Sequence, residues 1–304
     1  MRNSNQYLKE SDLFRQASTS RVKYNIPLTI IAYFLLWLIG LGLGRLLASA
    51  VLTILGSIGD IGETAAVTLK RFIVCLTQIA FFFSWVKFVE KRQVRSIGFQ
   101  ARRPLKSYTF GFLAGLSAIT AIILILLLTG AIKLNYYPIE YGYMVLHLGA
   151  IALSWMVQSA SEEIAIRGWL IPSLEKKSSP IMAISITSVI FGILHLFSSG
   201  VTVLSFTNLI LSGIFFAGYA ILNGNIWGVC GLHFAWNFAL ANIYGLPVSG
   251  FAVNGEKIFK AQQTGPRLLT GGDFGPEGGL VTTIILLAGI AVLVLKWKKT
   301  NLDS

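Results

Sequence analysis

Long apolar segments constrain the fold of this chain more than any other feature. A helix needs about 20 apolar residues to cross roughly 30 Å of hydrocarbon. Only 12% of the residues are charged, whereas soluble domains carry about a quarter, so too little polar surface remains for a soluble globule of this size. The sequence therefore predicts an all-α fold, a polytopic membrane helix bundle with about eight transmembrane helices. The predicted spans are residues 27–55, 68–88, 108–132, 142–170, 180–198, 202–222, 226–245 and 279–297.

Lysine and arginine residues indicate the orientation of these spans, because cytoplasmic loops of membrane proteins are enriched in them. Of the 25, 18 lie in the N-terminal tail, between Lys87 and Lys106, between Arg167 and Lys177, and at the C-terminal end as Lys296, Lys298 and Lys299. All of these fall on one side of an eight-span bundle. We therefore predict that both termini are cytoplasmic, and we interpret the net charge of +12 as a topology signal rather than a nucleic-acid-binding surface. The second span is the weakest, because Lys70 and Arg71 lie at its start.

The segments between and around the spans divide the chain further. We expect a cytoplasmic N-terminal tail over residues 1–25, one membrane domain over 26–299 with its motifs in 142–245, and a cytoplasmic tail over 300–304. The basic loop 89–107 has two interpretations, an interfacial segment or a solvated loop. The glycine-rich loop 246–278 is predicted on the non-cytoplasmic side, with no conformation indicated. Neither a signal peptide nor a lipidation motif is expected, and Cys75 and Cys230 are predicted to pack in different spans without a disulfide.

Three charged residues lie within the fourth predicted span, where each costs at least a few kcal/mol on insertion scales. On a helix, Glu163 and Arg167 are four residues apart and can pair. Glu162 is rotated by about 100° from Glu163, so we expect it to face a cavity. Pro172 is expected to loosen the helix at about residue 168.

The fifth and seventh predicted spans carry the remaining candidate groups. His195 lies in the fifth span, at a depth similar to Glu162, because both are roughly 25 Å of helix from the turn near Ser178. His233 and Asn237 in the seventh span are four residues apart and point the same way. His147 lies near the outer end of the fourth span and is interpreted as structural or interfacial. Convergence of these groups would supply either acid–base or metal-assisted chemistry.

Two chemistries fit the candidate residues. In one, Glu162 beside His195 activates a water molecule while His233 and Asn237 donate to an oxyanion. In the other, Glu162, His195 and His233 hold zinc, which leaves one position open for water. The sequence contains no His-Glu-x-x-His zincin motif, no Gly-x-Ser-x-Gly motif and no pair of aspartates within the predicted spans.

The motifs Glu162-Glu163-x-x-x-Arg167, Phe191-x-x-x-His195 and His233-x-x-x-Asn237, in this order, resemble those of the CPBP family, the CaaX-protease and bacteriocin-processing (Abi) family. The run from Gly275 to Gly279 also resembles bacterial members. The resemblance implies an eight-helix membrane endopeptidase whose site opens toward the cytoplasmic leaflet. It also implies that Glu162 is the base with His195 and that His233 and Asn237 form the oxyanion pocket. The family is often labelled metalloprotease, so zinc stays an open cofactor.

The resemblance also indicates partners and alternatives. We expect membrane lipids and a membrane-associated or leader-bearing peptide as partners, no nucleic acid, and a bacterial plasma membrane as the location. The alternatives are a non-catalytic scaffold or bacteriocin-immunity protein with the same fold and, third, a transporter with a glutamate–histidine proton relay. Against a transporter, no paired broken spans are visible in the sequence. The oligomeric state is not indicated.

Overall fold

A computed structural model describes residues 11–22, 25–137, 141–252 and 255–302. Parts of both predicted tails, residues 1–10, 23–24 and 303–304, therefore lie outside the described residues, as do residues 138–140 and 253–254. The described helices are α1 Asp12–Ala17, α2 Ile26–Ile58, α3 Glu63–Ser84, α4 Pro104–Leu128, α5 Tyr141–Glu163, α6 Ile171–Glu175, α7 Pro180–Leu194, α8 Val203–Asn223, α9 Trp227–Phe238, α10 Arg267–Thr270 and α11 Leu280–Leu302, and the strands are β1 Ile132–Tyr136 and β2 Phe259–Gln263.

The helices confirm the predicted membrane helix bundle. Within the described residues, five are long and apolar enough to cross a membrane: Ile26–Ile58, Glu63–Val89, Pro104–Leu128, Val203–Asn223 and Leu280–Lys299. The three other predicted spans are also helical, in α5, α7 and α9, but α7 has only 15 residues and α9 only 12. The predicted fifth span ends early, because α7 stops at Leu194 and His195 is its C-terminal cap. The count of eight spans and the side of the termini stay predictions.

Close contact between α4 and α9 fixes the centre of the bundle. A Cβ atom at Gly111 would lie 1.8 Å from the carbonyl oxygen of Gly228, and one at Gly231 would lie 2.2 Å from that of Tyr108. Glycine is therefore required at both positions, as at other close helix crossings in membranes. The consequence for the site is that α9 is held deep in the bundle, with residues 228–237 all buried.

The helix that carries the charged motif changes its winding directly after Glu163. Residues Ile164–Leu170 form a π-helix, all of them buried, which leads into α6. Pro172 lies in the first turn of α6, where a residue without an N–H group is tolerated. The loosening expected near residue 168 therefore takes the form of a π-helix, a feature that often occurs at functional sites.

Part of the loop 89–107 is buried in the protein, namely residues 90, 92 and 96–98, whereas residues 102–106 are exposed. Neither interpretation drawn from the sequence included this buried part. Ile97 is fully buried in a 3₁₀ turn, Val94–Ile97. Glu90 and Arg92 form a buried ion pair, and Glu90 also accepts a 2.8 Å hydrogen bond from the indole N–H of Trp169. The loop thus anchors the π-helix from the side that the sequence assigns to the cytoplasm.

The described part of the loop 246–278 is ordered by a strand and short helical turns. Strand β2 pairs with β1 in antiparallel register, from Ile132 opposite Gln263 to Tyr136 opposite Phe259. The sequence predicted no strand, and it placed residues up to 132 in a helix, whereas α4 ends at Leu128. The N–H of Gly250 donates to the carbonyl of Phe274 at 2.9 Å. This bond folds the two halves of the loop onto each other over one end of the bundle.

Candidate active site

The three motifs meet at one cavity of about 460 Å³ in the interior of the bundle. Glu162 from α5, His195 from the end of α7, and His233 and Asn237 from α9 all line it. Glu163 and Arg167 do not, because they lie behind the cavity wall and are 0% and 1% exposed. His147 is not among the lining residues. The structure thus brings all six predicted site residues together but divides them into a lining group and a supporting pair.

The supporting pair holds one of the histidines in place. Arg167 Nη1 lies 3.0 Å from Glu163 Oε1, and the same carboxylate oxygen lies 2.7 Å from His233 Nδ1. A carboxylate can only accept a hydrogen bond here, so His233 Nδ1 carries the proton and donates. His233 Nε2 is therefore directed to the opposite side, where it lies 3.9 Å from Glu162 Oε2.

The guanidinium of Arg167 is enclosed by aromatic rings. Its central carbon lies 4.9 Å from the ring centre of Phe191 and 5.3 Å from that of Phe216. Phe216 in turn packs against the imidazole of His233 at 5.2 Å. Cation–π contacts and the ion pair together make a buried arginine tolerable in an apolar bundle. The cluster therefore orients both Glu163 and His233.

A backbone contact fixes the tautomer of His195. Its Nδ1 lies 2.8 Å from the carbonyl oxygen of Phe191, four residues earlier. A carbonyl oxygen can only accept, so Nδ1 carries the hydrogen and neutral His195 presents an unprotonated Nε2. Because the residue lines the cavity, this lone pair is available to a water molecule or a metal ion there.

A glutamine that the sequence analysis did not single out connects the two halves of the lining group. Gln158 Nε2 donates to Glu162 Oε1 at 2.5 Å, and Asn237 Nδ2 donates to Gln158 Oε1 at 3.1 Å. Gln158 precedes Glu162 by four residues and so shares its helix face. That spacing was the available signal, since any polar residue one turn from Glu162 is a candidate partner.

The wall opposite α5 comes from the loop 246–278. Glu277 accepts a 3.0 Å hydrogen bond from the indole N–H of Trp236 and further bonds from the backbone N–H and hydroxyl of Ser249. All three residues line the cavity. Burial raises the pKa of Glu277, although its hydrogen-bond donors act in the opposite direction. The sequence analysis noted this glycine-rich run only as a family resemblance and assigned it no role.

The position of this wall bears on the side from which the cavity opens, which the resemblance implies to be the cytoplasmic leaflet. Val248, Phe251 and Ala252 line the cavity, and Phe251 is 63% exposed. No lining residue comes from the loop 89–107 or from the turn between α6 and α7, the segments that were assigned to the cytoplasm. If the loop 246–278 is non-cytoplasmic, as its sequence predicts, the cavity approaches the non-cytoplasmic side.

Glu162, His195 and His233 are the residue types that bind zinc. The described residues nevertheless include no group of three or more histidine, cysteine, aspartate or glutamate side chains placed to hold a metal ion. Two of the three predicted ligands already have hydrogen-bond partners. His233 bonds to Glu163, and Glu162 accepts a hydrogen bond from Gln158. The geometry therefore does not match a ready zinc site, and no step below depends on one.

Comparison with known proteins supports the site at the level of a family. Residues 144–239 match the family described as Rce1-like, type II CAAX prenyl endopeptidase. No curated protein and no solved structure matches the chain. The matched residues contain all six motif residues, in α5, the π-helix, α7 and α9. The family predicted from the motifs is thereby confirmed for residues 144–239, which match the CPBP family of CAAX-type membrane proteases.

Proposed function

We propose that this protein is a membrane-embedded endopeptidase in which Glu162 and His195 activate a water molecule. The observation that carries the proposal is the cavity, where a carboxylate, an unprotonated imidazole nitrogen and the polar groups of His233 and Asn237 face one space. The family match supports a protease of the CAAX type acting in a membrane. The buried Glu163–Arg167 pair supports the same conclusion, because its contacts serve to orient a lining residue.

The reaction can be written with these residues alone. A water molecule in the cavity donates one hydrogen to the carboxylate of Glu162 and the other to His195 Nε2. As Glu162 takes the proton, the water oxygen bonds to the carbonyl carbon of the peptide, and the carbonyl oxygen becomes an oxyanion. Glu162 then gives the proton to the leaving nitrogen, the C–N bond breaks, and a carboxylic acid and an amine result.

We assign stabilisation of the oxyanion to Asn237 and His233. Asn237 lines the cavity, and its carboxamide nitrogen donates one hydrogen to Gln158 and carries a second. His233 lies one turn before it on the same face of α9. A protonated His233 Nε2 donates in the same direction, while Glu163 stabilises the resulting imidazolium at Nδ1. Preorganised donors of this kind typically contribute about 10²–10³ in rate.

The proposal also covers the class of substrate and the membrane in which the protein lies. The cavity lies among apolar helices, which suits a membrane-associated or leader-bearing peptide better than a soluble one. We place the enzyme in a bacterial plasma membrane among lipid partners, with bacteriocin processing as one expected role. Zinc bound by Glu162, His195 and His233 is the second hypothesis for the same chemistry.

Proteolysis in reconstituted liposomes tests the proposal. Wild type, Glu162→Gln and His195→Ala would be incubated with a pool of membrane-associated peptides, with mass spectrometry as the readout. We expect cleavage by wild type only. Cleavage that survives a zinc chelator supports Glu–His water activation, and cleavage lost to the chelator and restored by zinc supports the metal hypothesis. Equal traces from all three proteins would contradict the proposal and favour a non-catalytic scaffold.

A further inference from the structure

A second, smaller cavity adjoins the candidate active site. It has a volume of about 150 Å³ and is lined by residues of α2, α3, α5 and α7, and we call it the side chamber. Glu162 and His195 line both cavities. His233 and Asn237, to which the oxyanion is assigned, line the larger cavity and are not among the residues that line the side chamber. The two residues that activate water in the proposed reaction therefore lie where the two cavities meet.

Two polar side chains that the sequence analysis did not single out also line the side chamber. Tyr33 of α2 is 1% exposed, and Gln78 of α3 is 7% exposed. Neither the Tyr33 hydroxyl nor the Gln78 carboxamide has a hydrogen-bond partner among the described residues. Polar groups buried in a protein are hydrogen-bonded as a rule, because an unpaired one is costly. Both side chains therefore indicate a ligand in the chamber that forms hydrogen bonds with them.

Packing holds the apolar parts of these two side chains in place. The ring of Tyr33 contacts those of Phe34 and Phe82, with ring centres 5.4 and 6.1 Å apart. Gln78 packs against Gly40 of α2, where a Cβ atom would lie 3.2 Å from Gln78 Cγ. The hydroxyl and the carboxamide are thus presented to the chamber by side chains whose stems are fixed.

Water fits the side chamber better than an apolar side chain of a substrate does. A volume of 150 Å³ has room for about five water molecules at roughly 30 Å³ each, and a buried water needs two to four polar partners. Tyr33, Gln78 and Glu162 supply such partners, together with the unprotonated Nε2 of His195. An apolar group in the same space would leave the hydroxyl and the carboxamide unpaired, at the cost of their desolvation.

The position of the side chamber also matches what hydrolysis in an apolar bundle requires. A peptide in the larger cavity displaces water from the side of His233 and Asn237. Water in the side chamber still reaches Glu162 and His195 from the other side, because both residues line that chamber. The nucleophile and the substrate then approach the reacting groups from different cavities.

We propose that the side chamber is a water-binding site, in which Tyr33 and Gln78 hold the water that supplies the nucleophile to Glu162 and His195 while a peptide fills the larger cavity. The inference rests on the proposed function for the use of this water. The presence of water in the chamber is measurable without catalysis.

Hydroxyl-radical footprinting with short X-ray pulses tests whether the side chamber contains water. The pulses generate radicals from bound water, so a side chain beside such water is oxidised even where it is buried, and mass spectrometry gives the rate at each residue. We expect Tyr33 in wild type to be oxidised severalfold faster than Trp169, which is 0% exposed and lines neither cavity. Gln78→Met should slow the oxidation of Tyr33. Equal rates at Tyr33 and Trp169 in wild type would show a dry chamber and overturn the inference.

The kinetic test compares wild type with Tyr33→Phe and Gln78→Met, which keep the packing and remove one hydrogen-bonding group each. We expect each variant to lower kcat about tenfold with an unchanged KM. Tyr244→Phe is the matched control, because it removes a hydroxyl that bonds to Thr120 and lines neither cavity, and it should keep the kcat of wild type.

The two tests together separate failure of the inference from failure of the proposed function. A higher KM with unchanged kcat in Tyr33→Phe and Gln78→Met would show that the chamber holds part of the peptide, and unchanged kinetic constants would show that its water is not used. Either result overturns the inference. Rapid oxidation of Tyr33 in a wild-type protein that cleaves no peptide would instead contradict the proposed function and leave the water-binding site standing.

Discussion

The buried ion pair behind the cavity gives the sharpest prediction about stability. Replacement of Arg167 by Met keeps an unbranched side chain between Phe191 and Phe216. Among the described residues, it leaves His233 as the one remaining partner of the buried Glu163 carboxylate. Removal of one member of a buried pair costs about 3–5 kcal/mol, because the other charge is left uncompensated. We expect Arg167→Met to lower the free energy of unfolding by that amount.

The pair itself is measured by a double-mutant cycle. In the variant that combines Arg167→Met with Glu163→Gln no uncompensated charge remains, so its loss should be smaller than the sum of the single losses by about 2 kcal/mol. The assay is unfolding of the purified protein in mixed micelles by increasing dodecyl sulfate, followed by tryptophan fluorescence. The exposed pair Asp12–Arg15 is the matched control, and Arg15→Met should change stability by less than about 0.5 kcal/mol. Additive losses, or a loss below about 1 kcal/mol for Arg167→Met, would refute the reasoning.

Three further predictions concern the cavity wall and its sidedness. Gln158→Leu removes a hydrogen bond to a charged group worth about 1.5–3 kcal/mol, so kcat/KM should fall roughly ten- to a hundredfold; an unchanged value would show that Glu162 needs no orientation. Because the pKa of Glu277 is raised, the folded protein binds this proton more tightly than the unfolded protein does. The protonated carboxyl therefore contributes fully to stability below pH 4.5, and this contribution is lost as the pH rises through the raised pKa. In Glu277→Gln, the free energy of unfolding should decrease less as the pH rises through this range. The same pH dependence in wild type and variant would contradict this prediction. In vesicles of known sidedness, an impermeant maleimide should label Ala252→Cys and Lys177→Cys from opposite faces, with little background from the buried Cys75 and Cys230; labelling from one face would contradict the predicted topology.

Local spacing along a helix was enough to predict the contacts within each motif. The Glu163–Arg167 pair and the shared face of His233 and Asn237 follow from 3.6 residues per turn, and the structure contains both. The rotation between adjacent residues likewise placed Glu162 toward the cavity. Such contacts depend on one element only, so a sequence determines them without knowledge of the rest of the fold.

Contacts between distant segments were not predictable in the same way. The sequence gives no sign that Glu163, rather than Glu162, hydrogen-bonds to His233, because that choice depends on how α9 packs against α5. The approach of Arg71 to Trp155 and of Glu277 to Trp236 joins residues far apart in the chain. The burial of Ile97 and the pairing of β1 with β2 have the same origin, tertiary packing of short segments whose own periodicity is weak.

The account's central claim is that Glu162 acts as the base in peptide hydrolysis. The most direct measurement is the single-turnover rate of peptide cleavage at saturating peptide. It compares reconstituted wild type, Glu162→Gln and Glu63→Gln, an exposed control. The affinity of each protein for the peptide is measured in parallel. The account predicts that Glu162→Gln lowers the rate by about 10²–10⁴ with unchanged affinity, while Glu63→Gln resembles wild type. An equal rate for Glu162→Gln and wild type would contradict the claim.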